Sequence, residues 1–497
     1  MRQIASLFIL YLLFSPFVYA SIADPSIDSL LLWHTLKQSN DVASTSQSTT
    51  LSPKPLRLLI DVRSNHSDGE HDLLELIDLA QQRYIDVLAF NEHDRFTIRL
   101  GLEPIPWLIG YSQEHPSLYQ TGLATFFTNL QAAQQQTSLS LIAGTESTPG
   151  YSWSGIPFKD LSLHHAERHI ITLGATQAAH IQALPSYTLK HAHGHQALSL
   201  VFWFVFIFVL ILILLRKRKI SVALLLAGSF IAFMSTWLMQ PHAQMDEDFI
   251  HAAKEQGLFT IWAHPGTRSG VRDGPMGVKL NTPPYNQHIF DYPADAFAAV
   301  YGDTDQNTVA GGLWDRYMMQ YMQGLVGRPM WAVAAGDFHS EGQANEYLGN
   351  FPMDIWAKST SPTDILEALK HGRMTAWHMG KAHHIAVSEL YLTYIDPDTK
   401  HVKTMLTGDE ASISPQIKLA IGLHELGQST QPTSLQGHWI INGQIHSQVT
   451  LRIHERTTSI TSLTLPKGKH VIRFQIPYQH GIRLETNPFL VDVRTKE

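Results

Sequence analysis

The feature that most constrains the fold is a regular alternation of short apolar runs and amphipathic segments over residues 56–372. Residues 56–62 (LRLLIDV) have the length and apolar content of a buried strand, whereas residues 71–83 (HDLLELIDLAQQR) place their leucines on one helical face. Further strand-like runs lie at 84–90, 138–144, 168–174, 258–264, 296–302 and 329–337. Strands separated by helices favour parallel pairing, so the sequence predicts an α/β fold and, at this length, a barrel.

Two longer apolar runs interrupt this alternation. Residues 196–215 and 220–239 each approach the ~20 residues that cross a bilayer, and the basic segment 216–219 (RKRK) lies between them. Because positively charged loops stay in the cytoplasm, the pattern predicts a transmembrane helical hairpin at 196–240 with both outer ends on the far side. The alternative is a pair of buried core helices, although neither run has a polar face.

The N-terminal residues have the pattern of a secretory signal. Arg2 precedes an apolar run that ends near Tyr19, and Val18-Tyr19-Ala20 resembles a cleavage site. We predict a signal peptide at 1–20 and a polar linker at 21–56, with a retained membrane anchor as the alternative. Together with the hairpin, the signal predicts location in the inner (cytoplasmic) membrane, with the soluble domains facing the periplasm or the cell exterior.

The pattern changes near residue 382. From there to the C-terminus, short runs of alternating apolar and polar residues are separated by turn residues, which is typical of an all-β sandwich. The predicted organisation is a barrel in two parts, 57–195 and 241–384, followed by a β-sandwich domain at 385–497.

Composition restricts the chemistry that the chain can carry out. The sequence has no cysteine and 28 histidines, so any transition metal must be held by His, Asp and Glu side chains. Disulfides, thiolate sites and cysteine nucleophiles are excluded. The formal net charge of −7, with no long basic run outside 216–219, gives no indication of a nucleic-acid surface.

Acids and histidines recur where predicted strands end or begin. They are His66 and Asp68, Glu92 and His93, Glu146, His169, His264, and Asp337 with His339. Barrel active sites are built at the C-terminal ends of the strands. If the strands close into a barrel, we expect these side chains to converge on a pocket of nitrogen and oxygen donors, which suits zinc, manganese or iron.

Four motifs in this order resemble those of a known family. HSDGEHDLLELIDLAQQRYIDVLAFNEHD, GTES, WAHPG and GDFH resemble successive motifs of the PHP (polymerase and histidinol phosphatase) superfamily, from about residue 56 to 384 apart from the hairpin. The resemblance implies a distorted (β/α)7 TIM-like barrel with a cluster of two or three divalent metal ions that usually hydrolyses phosphoesters.

Carried over position by position, the resemblance implies a set of metal ligands. Glu146 corresponds to the bridging glutamate, and His164 and His165 are alternatives to His169. The implied ligands are His66, Asp68, His93, Glu146, His169, His264, Asp337 and His339.

The sequence departs from the family at the opening His-x-His motif. Ser64 stands where the first histidine belongs, or Arg63 does if the loop carries one extra residue. Neither side chain is a good metal ligand. The replacement leaves two possibilities open: a site reduced from three metals to two, or an enzyme that has lost its activity.

The implied activity is metal-dependent hydrolysis, and the expected substrate bond is a phosphoester. Glu146 would bridge two ions, and His93 and His339 would hold a third ion or donate a proton to the leaving oxygen. Arg268 follows a ligand and would grip phosphate, unless it is a solvated loop charge.

The expected substrate is a phosphorylated small molecule or an envelope-linked compound, and we expect membrane association and no nucleic acid. One alternative is a non-catalytic metal-binding scaffold whose sandwich recognises a cell-envelope partner. A hydrolase of non-phosphate esters or amides is the other.

Overall fold

The computed structural model describes residues 54–494 except for 102–109, 156–157, 187–244, 267, 302–306, 343–346, 381–383, 428–432 and 454–456. The predicted signal peptide at 1–20, the linker up to residue 53 and the predicted hairpin at 196–240 lie outside the described residues.

Strands dominate the described residues. In chain order they are β1 (Leu56–Val62), β2 (Val87–His93), β3 (Thr97–Gly101), β4 (Gly110–Glu114), β5 (Ser140–Ser147), β6 (Ser152–Ser154), β7 (Ser162–His164), β8 (Ile170–Ala175), β9 (Phe259–Trp262), β10 (Val271–Asp273), β11 (Lys279–Asn281), β12 (Ala296–Val300), β13 (Trp331–Ala334), β14 (Met353–Ile355), β15 (Thr375–His378), β16 (Ile385–Ile395), β17 (Val402–Met405), β18 (Glu410–Ile413), β19 (Gln416–Glu425), β20 (Ser434–Ile441), β21 (Gln444–Arg452), β22 (Thr458–Thr464), β23 (Gly468–Gln479), β24 (Ile482–Thr486) and β25 (Phe489–Val493). The helices are α1 (Leu73–Gln82), α2 (Leu118–Thr121), α3 (Leu123–Gln134), α4 (Ala178–Gln182), α5 (Met245–Glu255), α6 (His288–Asp291), α7 (Leu313–Gln323) and α8 (Pro362–Lys370).

An eight-stranded sheet carries the candidate site. Its order is β13-β12-β9-β8-β5-β2-β1-β14. The sheet almost closes, because the chain after β13 runs beside the end of β1: the amide of Phe338 donates to Asp61 O at 3.0 Å and that of Arg63 donates to Phe338 O at 3.0 Å. The ends of β1, β2, β5, β9 and β13 therefore meet around one point.

Helix α1 anchors the loop that follows β1. Asp72 accepts hydrogen bonds from the amides of Leu74 and Glu75 at 2.9 Å, and the Glu75 carboxylate accepts one from the amide of Asp72 at 3.1 Å. Such a capping box stabilises a helix start by about 1 kcal/mol. The helix buries Leu76 and Ile77 against the sheet, so residues 63–71 are held between two fixed elements.

The predicted fold class, a distorted (β/α)7 barrel with an inserted transmembrane hairpin, is wrong. The sheet has eight strands and is mixed: β8 is antiparallel to both β5 and β9, and β14 is antiparallel to β1. Between β5 and β8 the described chain forms the short strands β6 and β7. A parallel strand needs a crossover connection, usually a helix, and without one the returning strand pairs antiparallel. The apolar run at 168–174 is compatible with a strand of either direction, so the sequence does not reveal that β8 is antiparallel to its neighbours.

The predicted membrane placement also needs correction. Among the described residues, none of the helices combines the length and the apolar character needed to span a bilayer. The apolar runs 196–215 and 220–239 lie outside the described residues. For the described residues, the absence of such a helix contradicts the predicted inner-membrane localisation.

Two further sheets form the C-terminal part. One joins β15-β24-β23-β20-β21 with β25 and β18, and the other has the order β17-β16-β19-β22. Their facing side chains share one buried cluster that includes Trp439, Phe474, Leu390 and Ile421. Strand β15 pairs with β24.

A buried ionic network joins these sheets to the central sheet. Arg473 on β23 makes a two-pronged contact with Asp315 on α7, at 2.7 and 3.0 Å, and reaches Glu485 on β24 at 3.1 Å. Asn487 donates to and accepts from the backbone of Ala332 on β13. The C-terminal sheets are therefore fixed against the strands that carry the candidate site.

Candidate metal centre

The strand ends of the central sheet bring acids and histidines to one buried cluster. Glu146 lies at its centre near the end of β5 and is fully buried. Because β8 is antiparallel to its neighbours, His169 reaches this end of the sheet from just before the start of its strand. His264 follows β9, and Asp337 follows β13.

The first group of ligand atoms is formed by Glu146, His169 and His264. Glu146 Oε1 lies 3.0 Å from His169 Nδ1 and 3.3 Å from His264 Nε2, and the two nitrogens are 3.3 Å apart. Tetrahedral bonds of about 2.1 Å place neighbouring ligand atoms about 3.4 Å apart. These three side chains therefore have the spacing of a divalent metal site without rearrangement.

The second group is made of carboxylates only. Asp61, Glu146 and Asp337 offer oxygens that all lie within 4.8 Å of one another. The guanidinium of Arg63 lies among them and forms ion pairs with Glu146 and Asp337, while its Nη2 is 3.7 Å from Asp61 Oδ1. Tyr301 donates a hydrogen bond to Asp337 Oδ2 at 2.8 Å.

Backbone carbonyls orient two of the histidines. His169 Nε2 lies 3.1 Å from Ala166 O, and His93 Nδ1 lies 3.3 Å from Glu146 O. A carbonyl only accepts, so these nitrogens carry the proton, and the other ring nitrogen turns a lone pair into the cluster. Metal-binding histidines are usually held in this way.

Asp68, His93 and His339 line the open side of the cluster. Asp68 Oδ2 lies 3.6 Å from His93 Nε2 and 3.3 Å from His339 Nε2. The side chain of His339 is 25% exposed, whereas that of His93 is 6% exposed. These three side chains are therefore placed between the buried centre and solvent.

Burial and neighbouring charges set the ionisation of the cluster. Burial, with His169 beside it, lowers the pKa of His264 to about 4, and burial together with Arg63 holds the pKa of His93 well below its ordinary value. Burial lowers the pKa of His339 too, but the hydrogen bond to Asp68 and the negative charges of Asp337 and Asp68 together bring this pKa above its ordinary value. Near neutral pH, His93 and His264 are therefore in the uncharged form that binds metals.

Two predicted residues do not join the cluster. His66 turns away: its Nδ1 lies 3.0 Å from Ser64 Oγ and its Nε2 lies 3.0 Å from the side-chain nitrogen of Asn129 on α3. Arg268 is exposed, and within the described part of the chain no side-chain contact joins it to the cluster. The other predicted ligands, from Asp68 to His339, are brought together.

Ser64 donates hydrogen bonds to the buried carboxylate of Glu92. Its hydroxyl donates to Glu92 Oε1 at 2.6 Å, its amide donates to the same carboxylate at 3.0 Å, and Ser67 adds a further hydroxyl donor. Burial raises the pKa of Glu92 to about 7 despite these donors. The serine therefore satisfies a buried acid beside the cluster.

Sequence reasoning missed the roles of Asp61, Arg63 and Tyr301. Asp61 is the one acid within the apolar run of β1, and it is fully buried; burial raises its pKa to about 6 against the pull of Arg63. The signal available in the sequence for the role of Asp61 was a single acid within a run that has the apolar content of a buried strand. Tyr301 carried no comparable signal.

Comparison with known proteins finds similar solved structures and no similar sequence. No protein-family model and no curated protein sequence matches the chain. One solved structure comes from Bacteroides vulgatus and is described as a two-domain protein containing a predicted PHP-like metal-dependent phosphoesterase. It has a TM-score of 0.37 and 12% identity, over 89% of this chain and 97% of its own.

Two other solved structures are also similar. A candidate metal-dependent phosphoesterase from Bifidobacterium adolescentis has a TM-score of 0.32 and 15% identity over 63% of this chain and 96% of its own. An amidohydrolase from Chromobacterium violaceum with bound sulfate has a TM-score of 0.25 and 14% identity over 57% and 88%. A protein described as containing a predicted PHP-like metal-dependent phosphoesterase, the class that the motif resemblance predicted, is thus among the solved structures similar to this chain.

Proposed function

We propose that this protein is a metal-dependent hydrolase that acts on phosphoesters. The observation that carries the proposal is the group formed by Glu146, His169 and His264. Their three ligand atoms lie 3.0–3.3 Å from one another, and the Glu146 carboxylate among them is fully buried. A divalent ion bound there would lower the pKa of a coordinated water and neutralise charge on a phosphoryl oxygen.

The chain's own residues supply orientation and proton transfer. The backbone contact of His169 at Ala166 O keeps its Nδ1 turned inward, 3.0 Å from Glu146 Oε1, so that a bound cation would be shared by the two atoms. His93 Nε2 also carries a lone pair, and it lies beside Asp68, where it would accept a proton from the attacking water.

We propose that His339 returns a proton to the leaving oxygen. Its Nδ1 lies 2.8 Å from Asp337 O, and its Nε2 lies 3.3 Å from Asp68 Oδ2 and 3.1 Å from Arg63 Nη1. Its partial exposure puts it on the side from which a substrate would enter. We propose a phosphorylated small molecule as the substrate class.

Turnover with defined metals tests the proposal. The purified full chain, loaded separately with zinc, manganese or iron, is assayed with p-nitrophenyl phosphate and bis(p-nitrophenyl) phosphate. We expect release of p-nitrophenol that falls at least ~100-fold in Glu146→Gln, because metal binding and charge neutralisation are lost together. Glu255→Gln, an exposed acid on α5, is the matched control and should leave the rate unchanged. No release with any metal, or equal rates for Glu146→Gln and the wild type, would contradict the proposal.

A non-catalytic metal-binding protein is the second candidate. The observation that favours it is Arg63, whose guanidinium lies among the carboxylates that would otherwise bind an ion. Metal binding without turnover of either substrate would favour this second candidate.

A further inference from the structure

Arg63 is a buried cation that the hydrolytic mechanism does not use. Its backbone is fixed at the end of β1 by the amide hydrogen bond to Phe338 O, and its side chain is only 1% exposed. Removing a guanidinium from water is strongly unfavourable unless anions surround it. The cluster supplies those anions, so the position of Arg63 is determined by the carboxylates.

Four carboxylates surround this one guanidinium. Arg63 forms ion pairs with Glu146 and Asp337, and it lies 3.7 Å from Asp61 Oδ1 and 3.6 Å from Asp68 Oδ1. Arg63 Nη1 also lies 3.1 Å from His339 Nε2. Without a cation at this point, the four acids would repel one another in a region with little water.

Glu146 divides its two oxygens between two kinds of partner. Oε1 faces His169 and His264, whereas Oε2 faces Arg63. In a two-metal site a bridging carboxylate gives one oxygen to each ion. Here the Oε2 side is already taken by a guanidinium, which is always charged and presents several N–H donors in one plane.

The two groups of ligand atoms therefore differ in what they can bind. We call Asp61, Glu146 and Asp337 the carboxylate set, and Glu146, His169 and His264 the histidine set. Asp61, Glu146 and Asp337 have the spacing of a metal site, but Arg63 contacts all three. An ion placed there would have to displace the guanidinium and would be repelled by it. The histidine nitrogens of the other group have no such cation between them.

We propose that Arg63 is a fixed cation that takes the place of one metal ion, so that the chain binds a single divalent ion at Glu146, His169 and His264. This inference rests on the proposed metal binding but not on turnover. Four acids against one guanidinium leave the cluster with excess negative charge, which a divalent ion at the histidine set reduces. Arg63 is a positioning residue for Glu146 and Asp337.

Metal content and stability test the inference together. The full chain and its variants are brought to equilibrium by dialysis against millimolar zinc or manganese, and bound metal is the difference in metal content between the protein and the buffer sides, measured by plasma mass spectrometry. We expect about one ion per chain in the wild type and a loss of most of it in His264→Ala. In Arg63→Ala the carboxylates of Asp61, Glu146 and Asp337 lose their contact with the guanidinium, and we expect them to bind a second ion at millimolar metal.

Thermal unfolding of the metal-free proteins gives an independent readout. Losing the buried guanidinium among four acids should lower the midpoint of Arg63→Ala by about 10 °C, and added divalent metal should recover most of it. Arg63→Lys keeps a positive charge, so it should still bind one ion, and its unfolding midpoint should fall by less than that of Arg63→Ala. Arg57→Ala is the matched control, since Arg57 is also a buried arginine, paired with Asp354 at 3.5 Å. Its midpoint should fall without recovery by metal and without change in metal content.

The outcomes separate the inference from the proposed function. Two or three ions in the wild type would overturn the inference, and so would an unchanged ion count in Arg63→Ala together with a loss of stability that metal does not recover. One ion in the wild type and two in Arg63→Ala support it even if neither phosphate substrate is turned over. In that case only the hydrolase proposal fails.

Discussion

At the scale of single residues, Ser64 and Glu92 complement each other. The serine hydroxyl and amide both donate to the buried carboxylate, and His66, which follows two residues later, is turned away from the cluster by the same serine and by Asn129. A histidine ring at position 64 would not supply these short donors. The loop after β1 is therefore built around a carboxylate, and the histidine that the family motif leads one to expect has no place there.

The Ser64→Ala variant tests this pairing. Glu92 would lose its hydroxyl donor while staying buried, so the free energy of unfolding should fall by about 1–2 kcal/mol in urea denaturation. Ser162→Ala, in which the hydroxyl contacts only the Asp160 carbonyl, is the control and should stay within about 0.5 kcal/mol of the wild type. A Ser64→Ala protein as stable as this control would show that the hydroxyl contributes nothing.

His378 predicts a dependence of stability on pH. Its ring is stacked between Phe351 at 4.9 Å and Tyr478 at 5.5 Å, and burial, with Arg483 nearby, lowers its pKa to about 4. The unfolded residue takes up a proton near pH 6.5. Between these values the unfolded state binds more protons, so the free energy of unfolding falls as the pH drops from about 6.5 to about 4.

The variant His378→Phe should remove this contribution. Compared with the wild type, its loss of unfolding free energy between pH 7 and pH 4 should be smaller by about 2 kcal/mol, measured by denaturation at a series of pH values. His251→Gln, at an exposed position on α5, should follow the wild-type profile. Parallel profiles for His378→Phe and the wild type would refute the assignment.

At the scale of secondary-structure elements, the approach of β5 to β8 decides whether the first ligand group exists. Glu146 is on β5 and His169 directly precedes β8, and the two strands pair antiparallel with Glu146 opposite Ile171. Gly144 makes this close approach possible, because a Cβ there would lie 1.8 Å from Thr172 O. The backbone spacing of two strands thus sets the distance between two ligands.

Gly144→Ala should push these strands apart. We expect the free energy of unfolding to fall by about 1–3 kcal/mol, as in other overpacked interiors, and bound metal to fall with it because Glu146 moves relative to His169. The measurements are urea denaturation and metal content. Gly327→Ala is the control, since a Cβ there meets no atom within 4 Å. Normal metal content in Gly144→Ala would show that metal binding does not depend on the spacing of these two strands.

At the scale of the whole molecule, the central sheet and the C-terminal sheets are held together by buried charge. Arg473 is 1% exposed and contacts Asp315 through two nitrogens, with Glu485 as a second partner. Each of these residues would be poorly tolerated without the others, because an unpaired buried charge is strongly destabilising. We expect the two parts to unfold together.

Arg473→Ala tests this coupling. The expected loss is about 3–5 kcal/mol of unfolding free energy, because Asp315 and Glu485 stay buried without their partner. Arg494→Ala, which breaks an exposed contact with Asp492, should lose less than about 1 kcal/mol. A loss in Arg473→Ala no larger than in this control would show that the network does not join the two parts.

The success and failure of sequence reasoning follow from the range of the interactions involved. The motifs identified Glu146, His169, His264 and Asp337, because each lies beside a strand end and the ends of neighbouring strands meet. They did not predict the orientation of His66, because it depends on Asn129, which lies 63 positions away. The fold class failed because an apolar run does not encode the direction of its strand.

By itself the sequence determined the donor chemistry of this protein. Without cysteine, a transition metal has no thiolate ligand available, and the acids and histidines next to the apolar runs offer oxygen and nitrogen ligands. The tertiary structure alone decided which of those groups face one another and that Arg63 lies among the carboxylates. The physical reason is that local patterning depends on neighbours along the chain, whereas the partner of a buried charge is chosen in space: Arg63 meets Asp337 across 274 positions of sequence.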